Sequence, residues 1–116
     1  YPGICGMAAS IQLLNGLGVQ AIADRLLHLR GVLLDLLRAK GCVPVIEDDE
    51  VPVAARSAIV SVHRPGTDLA AAARTLTEHG VTVSQRRLRS GQELLRLSPH
   101  FYTTEEELAT AVGCLP

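Results

Sequence analysis

The chain has 116 residues, of which 47% are hydrophobic and 20% are charged, and its 11 basic and 12 acidic residues give a formal net charge of −1. This length and composition predict one globular domain, and the balanced charge argues against nucleic acid or an anionic membrane as a partner. The three cysteines lack a paired C-x-x-C spacing, so neither a disulfide framework nor a zinc site is indicated, and a reducing cytoplasm is the expected location.

The first forty residues predict two helices. Apolar residues recur at helical spacing from Ile4 to Leu14, which predicts a short buried helix that ends at Asn15-Gly16. The same spacing from Val19 to Lys40 predicts a helix of about 33 Å, which we expect to be the spine of the domain. Its polar stripe, which includes His28, is expected to face solvent. Neither a signal peptide nor a run of about 18 apolar residues is present, so no membrane span is predicted.

The next segment predicts two strands separated by an acidic loop. Residues Cys42 to Glu47 form a short strand candidate, and Pro44 within it favours an edge position. The acidic run at residues 47–50 is interpreted as a solvated loop, because consecutive carboxylates rarely converge on one metal ion. Ser57 to His63 has the pattern of a second strand.

A third helix and a third strand follow. Thr67 or Asp68 is expected to cap the helix, and Gly80 to end it. Val81 to Gln85 then predicts a strand. This order predicts an α+β fold, in which helices cover a small antiparallel or mixed sheet of three to four strands.

Three arginines lie within the predicted loop at residues 86–92. They are either solvated loop charges or the border of an active-site mouth that attracts an acidic substrate or a phosphate. Among them, Arg89 lies nearest the turn into the next predicted strand.

Residues Leu94 to Glu107 place one arginine, Arg96, inside an apolar strand pattern and then begin a helix. A capping box at Thr103 or Thr104 predicts the start of that helix. A guanidinium among leucines is costly to bury without an anion, because it cannot lose its charge. Arg96 is therefore expected to face an acidic group. Two interpretations are open. In one, Arg96 forms a salt bridge or its side of the strand faces solvent; in the other, it binds the carboxylate of a small ligand.

The run R-L-S-P-H-F-Y-T-T-E-E-E at residues 96–107 resembles the C-terminal signature of class V aminotransferase-fold (fold-type I) enzymes. This pyridoxal phosphate (PLP) family includes cysteine desulfurases, selenocysteine lyases, kynureninase and isopenicillin N epimerase-like proteins. Residues 1–18, 56–62 and 79–84 are also similar to segments of the family's small domain, so the resemblance covers nearly the whole chain. It implies a C-terminal small domain whose Arg96 binds the α-carboxylate of the substrate.

Two features depart from the family pattern. The desulfurases have a nucleophilic cysteine in the loop before the arginine strand, whereas no cysteine lies between Cys42 and Cys114 here, so persulfide chemistry is not expected. The resemblance also implies a Schiff-base lysine in a large domain upstream. The only lysine here is Lys40, which is expected to compensate the charge at the end of its own helix. Together with a start at Tyr1, this predicts a fragment or processed chain that is not catalytic alone.

Two hypotheses follow. In the first, residues 1–116 are the single C-terminal small domain of a PLP-dependent transferase, lyase or epimerase that acts on an amino acid, and the large cofactor-binding domain is absent. Arg96 binds substrate, Arg89 and His100 are secondary candidates, and no catalytic, cofactor-binding or metal residue is assigned. The expected partners are the large domain, the substrate and a second copy in a homodimer, so an apolar face should be exposed. In the second hypothesis, the chain is a stand-alone α+β module with a polar surface that binds a small carboxylate or a protein.

Overall fold

The computed structural model describes residues 1–116 as four helices and a sheet of four strands. The elements are α1 (Pro2–Leu17), α2 (Val19–Ala39), β1 (Val43–Pro44), β2 (Val60–His63), α3 (Leu69–Glu78), β3 (Ser84–Arg87), β4 (Glu93–Leu97) and α4 (Glu105–Gly113). The strand order is β1-β2-β4-β3, and every neighbouring pair is antiparallel. The α+β prediction is confirmed, with the antiparallel alternative for the sheet.

The long helix α2 is the centre of the core, as its apolar spacing predicts. Leu29, Leu33 and Leu37 each have 0% of their surface exposed. Helices α2, α3 and α4 enclose one face of the sheet, and the inward-facing residues of β2 and β4 complete the core. Gly41, with a φ of 75°, ends the helix within one residue of the predicted position. The prediction of a spine helix is confirmed.

The prediction that the first helix is short and buried is wrong. Helix α1 continues through Asn15-Gly16 to Leu17, and none of its residues is buried. Gly18, with a φ of 90°, separates it from α2, and the two axes differ by 77°. No single helix is long and apolar enough to cross a membrane, and α1 and α2 meet those criteria only when they are counted together across their bend. Helical spacing identifies apolar positions, but it does not say whether anything covers them.

Both predicted caps form, and the structure selects between the alternatives. Asp68 accepts a hydrogen bond from the Ala71 amide at 2.9 Å and caps α3. Thr104 caps α4 in a reciprocal pair with Glu107, with bonds of 3.1 and 2.8 Å. Thr103 Oγ1 instead accepts a hydrogen bond from the backbone N–H of His100, in the turn before α4, at 3.0 Å.

The two edge strands differ in how well they were predicted. Pro44 lies in β1 at one edge of the sheet, as predicted. At the other edge, β3 begins three residues later than expected and includes Arg86 and Arg87, which were assigned to a loop. Val81 and Val83 pack against the core without pairing in the sheet. A strand at the edge tolerates exposed charges, so its sequence lacks the apolar pattern of a strand.

Candidate functional site

Arg96 lies in β4, with β2 and β3 on either side. In the strand register it is opposite Ser61 of β2 and opposite Ser84 of β3. Its neighbours Leu95 and Leu97 are buried against the helices. Because successive strand residues alternate between faces, Arg96 and the two serines share the face that points away from the helices. The Cβ atoms of such opposed residues are about 5 Å apart.

The guanidinium of Arg96 has no acidic partner within the chain. The residue is half-buried, and its Nε atom is buried without any hydrogen-bond partner. None of the seven ion pairs includes it. Arg96 therefore forms no salt bridge within the chain, and its solvated face and its bound carboxylate both stay predictions. Leaving a buried donor unpaired costs about 1–3 kcal/mol, and an anion from outside the chain would recover that cost.

The structure does not bring Arg89 beside Arg96. Arg89 is exposed in the turn between β3 and β4 and makes no side-chain hydrogen bond or ion pair. Arg96 is the fourth residue of β4, so about 10 Å of strand separates its backbone from the turn. The sequence placed the two residues in adjacent elements, but Arg96 lies toward the far end of its strand.

His100 lies in the turn that connects β4 to α4. Its ring is stacked on that of Tyr102, with 4.1 Å between the centroids, and its backbone N–H donates to Thr103 Oγ1 at 3.0 Å. Both His100 and Tyr102 are exposed. The aromatic contact and the backbone bond give the turn a fixed shape directly after the arginine strand.

The start of α4 is also attached to α2. Glu105 accepts a hydrogen bond from His28 Nε2 at 2.8 Å and one from Arg25 at 3.3 Å. The bond from His28, followed by that from Arg25, holds the pKa of the Glu105 carboxyl below its ordinary value. Arg25 also donates to the carbonyl of Thr103 at 3.1 Å. The polar stripe of α2 therefore positions the turn after Arg96, which its interpretation as a solvated face did not predict.

The prediction of a solvated acidic loop is only half right, because Asp49 and Glu50 are exposed whereas Glu47 and Asp48 form ion pairs. Glu47 forms an ion pair with Arg38. Asp48 Oδ1 accepts a bond from Arg30 Nε at 2.8 Å, and its other oxygen lies 3.7 Å from Arg56. Arg30 is 6% exposed, and the sequence interpretation missed it. The signal was present, because position 30 shares a helical stripe with the buried leucines at positions 34 and 37.

The residues of this chain do not fit a PLP site. Lys40, the only lysine, donates from Nζ to the carbonyls of Gly113 and Leu115 at 3.3 and 3.0 Å. Lys40 therefore compensates the end of α4. The expectation that it compensates the end of its own helix, α2, is wrong. Cys42 is 6% exposed, and burial raises the pKa of its thiol, which Arg64 and Lys40 partly offset. Such a buried thiol is a poor nucleophile.

Solved structures with the same fold are known. A cysteine desulfurase from Thermococcus onnurineus NA1 has a TM-score of 0.79 at 20% identity, over 93% of this chain and 28% of that one. An 8-amino-7-oxononanoate synthase from Francisella tularensis has a TM-score of 0.71 at 28% identity, over 92% and 30%. A NifS-like protein has a TM-score of 0.76 at 23% identity, over 97% and 31%. Neither a protein-family model nor a curated protein sequence matches the chain.

These three neighbours are fold-type I PLP-dependent enzymes. The chain spans less than a third of the length of each one, while each alignment covers more than nine-tenths of the chain. The likeness is therefore to one part of those enzymes, and the α+β arrangement of four helices and an antiparallel sheet is that of their small domain. This chain has the small-domain fold of the fold-type I PLP-dependent enzymes.

Proposed function

We propose that the chain is the C-terminal small domain of a larger PLP-dependent enzyme, similar to the class V aminotransferases, and that Arg96 binds the α-carboxylate of an amino-acid substrate. The observation that carries this proposal is the buried, unpaired Nε atom of Arg96 on the outer face of the sheet. A guanidinium binds a carboxylate through two parallel N–H bonds, and Nε is commonly one of the two donors. The serines on either side leave room for a small ligand.

The cofactor would be bound by a large domain, because Lys40 is already bonded to the end of α4. The small domain would dock on that large domain and close the active site. Helix α1 supports this arrangement, since its apolar side chains are exposed, whereas a stand-alone module would have a polar surface. We further propose a homodimer in a reducing cytoplasm.

In this proposal Arg96 affects rate as well as affinity. Binding of the carboxylate orients the bonds at the substrate Cα, and orientation lowers the barrier of the step that breaks one of them. Arg89, at the tip of the hairpin, would attract the carboxylate of the substrate, and His100 would contact the substrate from the turn after β4. Transfer, elimination and epimerisation would all use this carboxylate contact.

The test is a substitution of Arg96 in the full-length enzyme. Arg96→Gln removes the charge and the planar fork, so we expect the KM for the amino acid to rise about a hundredfold, which corresponds to the loss of about 3 kcal/mol. PLP affinity, measured by the absorbance of the bound cofactor, should stay the same. Arg74→Gln is the matched control, because Arg74 is exposed on α3 and has no ion pair. An unchanged KM for Arg96→Gln would overturn the role of Arg96.

A further inference from the structure

A groove of about 360 Å³ lies next to the strand positions around Arg96, although Arg96 itself is not one of its lining residues. It is lined by the segment between β1 and β2 and by residues of the sheet. Ser61, directly opposite Arg96, is one lining residue, and Leu94 is another. Leu94 precedes Arg96 by two positions and therefore lies on the same face of β4. The groove thus begins within one strand spacing of the backbone of Arg96, about 4.8 Å.

The lining is mainly apolar, with eight hydrophobic residues among twelve. Val45, Ile46 and Ile59 are 38%, 53% and 48% exposed. Large apolar side chains that converge on one concave surface indicate an apolar ligand, because water gains nothing from contact with them.

The two arginines in the lining bring no free charge. Arg30 bonds to Asp48 and donates to the carbonyls of Ser57 and Ile59 at 3.1 and 2.9 Å. Arg56 donates from Nε to the carbonyl of Val51 at 3.2 Å. The bonds of Arg30 also attach the segment between β1 and β2, which forms the outer wall of the groove, to α2, so the groove is formed before any ligand arrives. On this face the arginines without an ion pair are Arg96 and Arg86, which lies opposite Leu94 in the strand register, so an ionic ligand group would find its free partner at one of these two.

We infer that this groove binds the side chain of the substrate, and that the substrate is an amino acid with a large apolar side chain. The inference rests on the proposed role of Arg96, which fixes one end of the ligand. The carboxylate would lie at Arg96, and the side chain would extend along the outer face of the sheet past Ser61 and over Leu94. Each additional buried methylene strengthens binding about fourfold.

The test uses the 116-residue chain with isotopic labels and follows two sets of NMR signals, the Nε–H of Arg96 and the methyl groups of Ile59 and Leu94. The probes are leucine, alanine and leucinol. We expect leucine to shift both sets and to bind about ten to a hundred times more tightly than alanine. Alanine should shift the Arg96 signal alone. Leucinol, which lacks the carboxylate, should bind far more weakly than leucine.

A pair of variants separates the groove from the arginine. Ile59→Ser should weaken leucine binding about tenfold and leave alanine binding unchanged. Val53→Ser is the matched control, because Val53 is 60% exposed and lies outside the groove, so both affinities should stay the same. Equal affinities for leucine and alanine, without methyl shifts, would overturn the apolar groove and leave the role of Arg96 intact. No response of Arg96 to either amino acid would overturn both. If leucinol binds as tightly as leucine, the proposal that one ligand occupies both the groove and Arg96 is overturned.

Discussion

Helices α1 and α2 are joined at Gly18 and both have apolar residues at helical spacing, yet one is exposed and the other forms the core. Helix α2 buries its apolar stripe and carries charged residues on its other face. Helix α1 contains no charged residue and buries none of its side chains. A helix that is apolar on most sides is typically covered. The difference indicates that an apolar stripe alone does not place a helix in this domain's core, and we expect α1 to be covered in the assembled protein.

The largest expected effect contrasts a leucine from each helix. Leu33→Ala should lower the free energy of unfolding by about 2–5 kcal/mol, because Leu33 is 0% exposed and its removal leaves a cavity. Leu13→Ala should change it by less than about 0.5 kcal/mol, since Leu13 is 65% exposed. Urea denaturation measures both. A similar loss for the two variants would mean that α1 is part of the folded core.

The exposed surface of α1 can be tested by its association. Ile4, Met7 and Ile11 lie on one side of the helix and are 62%, 60% and 48% exposed. We expect the unmodified chain to self-associate as its concentration rises, and the triple change of these residues to glutamine to give a monomer, because glutamine keeps the helix while removing apolar surface. Sedimentation velocity measures the mass.

Val43→Gln is the control for this change, because Val43 is also exposed but lies in β1. It should leave the association intact. A chain that stays monomeric at every concentration would contradict the expected role of α1 as a contact surface.

The smallest expected effect concerns the polar side of α2. This side contacts the start of α4 through Glu105, whereas α1 has no charged side chain that could make such a contact. The pKa of Glu105 is lowered in the folded chain, mainly by His28. The hydrogen bonds to the ionised Glu105 carboxylate therefore stabilise the fold above the ordinary glutamate pKa of about 4.3, and this contribution is lost as pH falls through the lower folded pKa. His28→Ala should raise the pKa of Glu105 toward its ordinary value in an NMR titration. His79→Ala, where the ring bonds only within α3 to the Thr75 carbonyl, should not change it.

Local signals account for the features that the sequence predicted. The spacing of leucines and Gly41 define α2, Asp68 marks the start of α3, and Pro44 indicates an edge strand, because each acts on its own stretch of backbone. The same is true of Arg96, whose position within a strand follows from its neighbours.

Features that depend on distant partners could not be predicted. Arg30 and Asp48 are 18 residues apart, and Arg25 and Glu105 are 80 apart, so no local pattern links them. The exposure of α1 likewise depends on which other elements pack against it, and the sequence of α1 does not contain that information. The lack of an acidic partner for Arg96 within the chain is of the same kind, because a strand pattern predicts which face a side chain occupies and not whether that face carries a carboxylate.

The two edges of the sheet have a consequence for how concentrated solutions of this domain behave. One edge is the two-residue strand β1 with Pro44, which has no N–H to offer a further strand, and the other carries Arg86 and Arg87. Pairing of a further strand with either edge is therefore unfavourable, which disfavours growth into fibrils at both edges of the sheet. The homodimer proposed above would be a closed contact if a two-fold axis relates its copies, and association would then stop at two chains. Turbidity and fibril formation should therefore stay low in this chain even where its molecules associate.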